Sequence, residues 1–165
     1  MEEFELKLRI SPSDAQFKKL LSPEVYIKLK SDTFKKYKFT CQGCGFHPFD
    51  ESKAVVALSM HVIEINEEKP EESVCNILCK ACHSTQHIDV SVRENWVELV
   101  NSTYSQKSLI EMCRINAIHN SVKEEDTRRL KIPASNYIDR VKDGSWPEAT
   151  KVKVIFTNNF EWGDL

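Results

Sequence analysis

The spacing of hydrophobic residues changes along the chain from the period of a strand to that of helices. Apolar side chains alternate with polar ones over residues 4–10, which predicts a strand with one buried face. Two helix start signals follow, Ser11-Pro12-Ser13-Asp14 and Ser22-Pro23-Glu24, in which serine can cap the helix and proline fits the first turn. They predict helices that run to about Leu21 and towards Phe34 and pack around the centre of the chain.

Short strands are predicted in the middle of the chain. The apolar runs 54–58 and 61–65 predict a β-hairpin, residues 67–72 a polar loop, and a short helix is expected to begin near Ala81. Further strands are predicted over residues 96–100 and 151–156, and further helices over 105–118 and 134–141. The predicted fold class is therefore α+β, in one structural domain with an N-terminal part (1–38), a central part (39–90) and a C-terminal extension (91–165).

The composition is that of a globular protein. Of the 165 residues, 41% are hydrophobic and 29% are charged, and no run approaches the ~18 consecutive apolar residues of a membrane span. The first residues are acidic and lack the basic start and apolar run of a secretory signal. We therefore expect a cytoplasmic protein without membrane insertion, which associates with a membrane only through its partners.

The net charge of −2 does not by itself favour binding to nucleic acid, but the charge is unevenly distributed. Seven lysines lie between residues 18 and 38, against Glu24 and Asp32. A solvated helix face explains such a run, and contact with phosphates is the alternative. The acidic stretch over residues 64–72 would repel a phosphate backbone, so nucleic acid stays open as a partner.

Two Cys-x-x-Cys pairs are the strongest chemical signal in the chain: Cys41/Cys44 and Cys79/Cys82. Each pair turns the backbone so that both sulfurs face one centre, and two pairs can complete the tetrahedron of a structural Zn²⁺. In a reducing compartment such pairs bind metal more often than they form disulfides. Of the other two cysteines, Cys75 is interpreted as a core residue or a spare ligand, and Cys113 as a buried small hydrophobe within an apolar helical stripe.

The surroundings of these pairs resemble the zinc-stapled branch of the HNH endonuclease (ββα-metal) superfamily. The similarity is carried by Cys41-x-x-Cys44-Gly45, by a hairpin bearing His61, and by Leu78-Cys79-x-x-Cys82-His83-x-x-x-His87. It implies two strands and a helix that clamp one further divalent cation, Mg²⁺ or another metal, separate from the zinc. It also implies that His61 is a catalytic general base and that His83 and His87 bind the second metal.

The match to that family is incomplete at two positions, which leaves enzyme activity open. Met60 stands where the family has a metal-binding aspartate or histidine, and a thioether binds magnesium poorly. Val74 stands where the family has an asparagine that orients the base, and Asn76 lies two residues away. The histidines also have structural interpretations: His61 as a hydrogen-bonded core residue, and His83 as a partner of a zinc-bound thiolate.

Residues 4–120 are also similar to the IcmJ (DotN) family of Dot/Icm type IVB secretion coupling complexes. The similar segments are the opening 5–13, the first knuckle with its flanks (39–46), the second knuckle, and the helix from Ser105 to Ile118. The resemblance implies an HNH-like fold that holds partners and does not cut DNA.

These resemblances support two functional hypotheses. The first is a zinc-stabilised, non-catalytic adaptor that docks on other protein subunits such as a coupling-protein ATPase. Tail aromatics, including Trp146, Phe160 and Trp162, would then anchor a partner or fold back onto the core. The alternative is a metal-dependent HNH endonuclease that cleaves DNA with His61 as general base. A third candidate, a zinc-ribbon-like nucleic-acid binder, would use the lysine run.

Overall fold

The computed structural model describes residues 4–119 and 152–162 and confirms the α+β class. The helices are α1 (Asp14–Lys19), α2 (Pro23–Lys36), α3 (Ala54–Ala57), α4 (Lys80–Gln86), α5 (Ile88–Arg93) and α6 (Gln106–His119). The strands are β1 (Leu58–Glu64), β2 (Val74–Cys79), β3 (Val97–Asn101) and β4 (Val152–Phe156). None of the helices in these ranges has the length and apolar character needed to cross a membrane. The helix predicted over 134–141 lies outside the described residues.

Two compact units make up the chain, and each has its own two-stranded antiparallel sheet. Of the described residues, the first unit contains Phe4, Glu5 and residues 11–83, and its sheet is formed by β1 and β2. The second contains Leu6–Ile10, residues 84–119 and residues 152–162, and its sheet is formed by β3 and β4. The predicted division of the sequence at residues 38 and 90 stays a prediction.

Serine caps start the first two helices, α1 and α2, as the sequence predicts. Ser13 accepts a hydrogen bond from the backbone of Gln16, and Ser22 accepts one from Val25, which satisfies N–H groups that the first turn of a helix leaves open. The prediction placed the start of α1 slightly early, because Ser13 is the cap and Pro12 precedes it. Beyond α2 the backbone reverses through two residues with positive φ, Lys38 and Phe39, and leads into the first knuckle.

The predicted hairpin between residues 54–58 and 61–65 is not formed, because the chain has one strand there, β1, and its partner is β2. Residues 54–57 form α3 and no strand, so the prediction of a strand over 54–58 was wrong. The side chain of Asp50 accepts hydrogen bonds from the backbone and hydroxyl of Ser52, which starts a turn of 3-10 helix that runs on into α3. This local capping outweighs the strand preference of the β-branched residues there. The hairpin that does form pairs β1 with β2, on either side of the loop predicted over residues 67–72.

The predicted N-terminal strand is mostly absent from the second unit. Only Ile10 forms a bridge, with His87, and Arg9 bonds through its backbone to Thr85 and Ile88. The apolar alternation is nevertheless used, because Leu8 and Ile10 pack against the core of this unit, which consists of Ile88, Val97, Leu99, Val152 and Val154. The prediction of a buried apolar face was therefore right for Leu8 and Ile10, but the predicted strand with its ladder of hydrogen bonds is not formed.

The C-terminal strand and tail are tied into the second unit. The side chain of Gln106, at the start of α6, donates to the carbonyl of Val154 and accepts from its N–H. In the tail, the rings of Phe160 and Trp162 pack on Phe156 with centroid distances of 4.5 and 5.0 Å. These two aromatic residues therefore fold back, one of the two predicted outcomes, and Trp146 lies outside the described residues.

Candidate metal centres

A glycine turn shapes the first cysteine pair. Gly45 has a φ of 77°, a left-handed conformation that is costly for residues with a Cβ, and its N–H donates to the carbonyl of Cys41. The knuckle is anchored to β2 as well, since the N–H of Gln42 donates to the carbonyl of Ile77. Cys41 and Cys44 are held in this way beside the end of the strand that leads to the second pair.

The second pair lies at the junction of a strand and a helix. Cys79 is the last residue of β2, and Cys82 lies in the first turn of α4. The N–H of Cys79 donates to the sulfur of Cys41 at 3.2 Å, so the two pairs share a hydrogen bond of the kind that supports thiolates.

The four sulfurs fit one zinc ion. All four Sγ atoms lie within 4.8 Å of one another, and those of Cys44 and Cys79 are 3.7 Å apart. A tetrahedron with Zn–S bonds of about 2.3 Å places its sulfurs roughly 3.8 Å apart. The structure therefore brings together the four predicted ligands at a spacing suited to a metal ion such as Zn²⁺.

The clustered thiols have to lose protons before they can bind a metal ion. Hydrogen bonds with the thiols of Cys41 and Cys44, together with burial, raise the pKa of both Cys79 and Cys82 above the usual range. The side chains are shielded from water, with exposed fractions between 0% and 6%. Four buried thiolates need a divalent cation to offset their mutual repulsion, so metal binding at this cluster involves proton release.

Cys75 is not part of this cluster. It lies in β2 opposite Val62, and burial raises the pKa of its thiol to about 11, so it is protonated at neutral pH. This favours the interpretation of Cys75 as a core residue over that of a spare ligand. Cys113 is only partly buried, so the prediction of a buried residue there was wrong.

A second group of potential ligands lies elsewhere in the first unit and includes a residue that sequence reasoning missed. Asp14, His61 and His83 place their carboxylate oxygens and ring nitrogens within 4.8 Å of one another. One carboxylate oxygen of Asp14, Oδ2, is 2.6 Å from Nε2 of His83, and the other, Oδ1, is 3.5 Å from Nδ1 of His61. A carboxylate and two imidazoles form a typical donor set for a borderline divalent cation.

Each of these side chains comes from a different element. Asp14 is the first residue of α1, directly after the cap, and its Oδ1 also accepts a hydrogen bond from the N–H of Val62. His61 lies in β1 and is 1% exposed, whereas Asp14 and His83 are 24% and 26% exposed. The rings of His61 and His83 are 5.1 Å apart and tilted by 64°. The group is thus buried at His61 and reachable from solvent at Asp14 and His83.

Met60 and Val74, where the family resemblance expects catalytic groups, do not contribute to this group. Met60 pairs with Ile77 and is buried, while Val74 is exposed at the start of β2. The register of the hairpin instead places Asn76 directly opposite His61. Directly opposed residues of an antiparallel pair share one face, so Asn76 and His61 lie on the same side of the sheet without any change of register.

Two further histidines have described side chains, His87 and His47. His87 belongs to the second unit, where it precedes α5, and its predicted role as a metal ligand stays a prediction. Nδ1 of His47 lies 3.1 Å from the carbonyl oxygen of Phe39 and 3.3 Å from the hydroxyl of Thr40. These contacts support a structural role for His47 beside the first knuckle.

Several lysines of the basic run have aromatic neighbours. The ammonium groups of Lys18, Lys30 and Lys36 lie over the rings of Tyr26, Phe34 and Tyr37 at 5.0 to 5.7 Å. Such contacts are compatible with a solvated helix face, and they leave the charges available for anions.

Comparison with known proteins returned no relatives: no model of a protein family matches the chain, and no curated protein matches it significantly. The HNH and IcmJ resemblances therefore rest on the motifs described above.

Proposed function

We propose that the protein is a metal-dependent phosphodiesterase of the HNH endonuclease type, stabilised by zinc at its four clustered cysteines. The observation that carries this proposal is the convergence of Asp14, His61 and His83, because it supplies a carboxylate beside the histidines despite the methionine at position 60. The order of elements supports it, since β1, β2 and α4 follow one another as in a ββα-metal core.

The residues divide into distinct roles. Asp14 and His83 would hold the divalent cation, which supplies charge stabilisation for the phosphoryl oxygens and the leaving group. His61 would act as general base, taking a proton from water on Nε2 while Asp14 faces its Nδ1. The partial exposure of Asp14 and His83 leaves a route for substrate to reach the metal.

Positive charge near the site supports a phosphate-bearing substrate. Lys18 and Lys19 lie in the last turn of α1, the helix that Asp14 begins. Between residues 18 and 38 the sequence has seven lysines and two acidic residues, so this stretch is positive although the chain as a whole carries −2 and the acidic turn Pro70–Glu72 packs against α2. Such a patch attracts a nucleic-acid backbone in a salt-dependent way.

A DNA cleavage assay tests the proposal. Zinc-loaded protein would be incubated with plasmid DNA and Mg²⁺, Mn²⁺ or Ni²⁺, and we expect nicking that falls about 10²- to 10⁴-fold in His61→Ala, the range for removal of a general base. Asp14→Asn should also lose activity while it keeps an acceptor for the N–H of Val62.

A matched variant serves as the control. Asp32→Asn neutralises an exposed carboxylate of α2, outside the group. It should cleave like the unchanged protein. No cleavage with any of the three metals, or full cleavage by folded His61→Ala protein, would refute the proposed activity.

A second candidate is the non-catalytic adaptor of a type IV secretion coupling complex. It is favoured by exposed apolar side chains in the first unit, at Phe49, Val55 and Val56, with exposed fractions of 107%, 55% and 77%. Contiguous exposed apolar side chains can mark protein-binding surfaces, and Val55 and Val56 are adjacent in α3. Direct binding of a purified coupling ATPase, lost in a Phe49→Ser/Val56→Ser variant, would support the adaptor, and unchanged binding by that variant would exclude this surface.

A further inference from the structure

Asn76 is the buried polar side chain that the contacts within the first unit leave unexplained. It is 1% exposed, and among the described residues neither its carbonyl oxygen nor its amide nitrogen has a hydrogen-bond partner. Burying an amide without partners costs roughly 1–3 kcal/mol in proteins. A core position in a strand would ordinarily be filled by an apolar residue, as it is by the neighbouring Ile77 and Leu78.

The position of Asn76 connects this amide with the second metal centre. Asn76 pairs with His61 across the β1–β2 sheet, and both side chains are on one face. His61 in turn lies 3.5 Å from Asp14, whose other oxygen contacts His83. The buried amide therefore stands beside a group that already offers a carboxylate and imidazole nitrogens.

We propose that Asn76 is a ligand of this centre and binds a divalent cation through its carbonyl oxygen. A neutral amide oxygen is a hard donor of the kind that Mn²⁺, Mg²⁺ and Ca²⁺ accept, and together with imidazole it suits Mn²⁺ best. A bound cation satisfies the buried oxygen, and the NH₂ group is then placed to donate to an oxygen of an incoming phosphate. The inference rests on the metal centre of the proposed function, but it does not require DNA cleavage.

Electron paramagnetic resonance of Mn²⁺ provides the test, because the six-line signal of the free ion disappears on binding. The protein is kept loaded with zinc, which holds the four thiolates against the harder Mn²⁺. We expect Asn76→Leu to weaken Mn²⁺ binding about tenfold or more. Asn76→Asp should restore the affinity of the unchanged protein or exceed it, since it presents an oxygen at the same place.

The control is Asn101→Leu, which makes the same substitution at an exposed asparagine in β3. It should bind Mn²⁺ like the unchanged protein. Equal affinity in Asn76→Leu would overturn the inference, as would weakened binding in both Asn76→Leu and Asn76→Asp, because that result points to packing. If the unchanged protein binds no Mn²⁺, the metal centre itself is refuted, and cleavage data are not needed to decide this.

Thermal unfolding gives a second readout that separates a ligand from a structural polar group. In zinc-loaded protein without Mn²⁺, replacing an unsatisfied buried amide by leucine of similar size should raise the Tm by about 2–4 °C. The variant would then be more stable and bind metal less tightly. A lower Tm with unchanged Mn²⁺ affinity would show that Asn76 supports the fold through a buried water, and would refute its role as a ligand.

Discussion

Removal of zinc should unfold the first unit. The four cysteines are part of its buried core, which also includes Phe17, Phe34, Leu58, Ile77 and Leu78. Structural zinc contributes roughly 10–16 kcal/mol in small zinc-binding peptides at neutral pH, whereas a whole domain is typically stable by about 5–15 kcal/mol. The free energy contributed by zinc is therefore as large as the whole free energy of unfolding of a typical domain, and the short hairpin β1–β2 cannot replace it.

Hydrogen exchange followed by mass spectrometry measures this effect element by element. Zinc would be removed with a chelator under reducing conditions, and the released metal counted with a colorimetric indicator, with about one ion expected per chain. Every 1.4 kcal/mol lost from the opening free energy raises an exchange rate about tenfold, so a loss of only ~4 kcal/mol accelerates exchange roughly 1000-fold. Peptides from β1 and β2 should show this acceleration.

Cys41→Ser offers the same perturbation without a chelator. It weakens the ligand set and also removes the sulfur that accepts from the N–H of Cys79. The matched control is Cys113→Ser, at a partly buried cysteine in α6 that is outside the cluster. Metal-free protein with unchanged exchange in β1 and β2 would show that the four cysteines are not a structural zinc site.

Two further predictions concern single buried side chains. Because burial raises the pKa of Cys75 to about 11, its thiol stays protonated in the folded state while the unfolded thiol ionises above about pH 9. Folded protein then binds more protons than unfolded protein, so stability should fall by roughly 1–2 kcal/mol between pH 9 and 11; Cys75→Ala should remove this part of the pH dependence in urea titrations. Gln106→Leu should cost about 2–4 kcal/mol, because it leaves both backbone groups of Val154 without their side-chain partner, and an unchanged urea midpoint would contradict this.

Local signals in the sequence were sufficient for much of the scaffold. The cap at Ser22 followed by Pro23 defines the start of α2, and the alternation near the C-terminus corresponds to β4. The spacing of the cysteine pairs was enough to predict their convergence, because a Cys-x-x-Cys turn determines its own geometry. The predictions failed where secondary structure depends on a partner strand. Residues 4–10 have the pattern of a strand, yet among the described residues only Ile10 forms a bridge with a partner.

The second metal centre, with Asp14, His61 and His83, could not be predicted from the sequence for a related reason. Asp14 is 47 positions before His61, and in the sequence it reads as an ordinary acidic residue in the first turn of a helix, where the helix dipole favours it. Only the packing of α1 against β1 shows that the carboxylate of Asp14 also contacts the strand, where it accepts a hydrogen bond from the N–H of Val62. Asn76 was hidden by register, since its relation to His61 depends on how β1 and β2 align, and one residue of slip would reverse its face.

The positions of Asp14 and Asn76 weaken the argument that Met60 and Val74 make the protein inactive. A missing aspartate or asparagine at a motif position argues against catalysis only if no other residue brings the same chemical group to the same place. A carboxylate reaches His61 from α1, and an amide reaches its face of the sheet from β2. A metal site requires donor atoms at suitable distances and does not depend on the element that supplies them. Substitutions at Met60 and Val74 are therefore weak grounds for an inactive protein, and metal binding by Asp14 and Asn76 decides the question more directly.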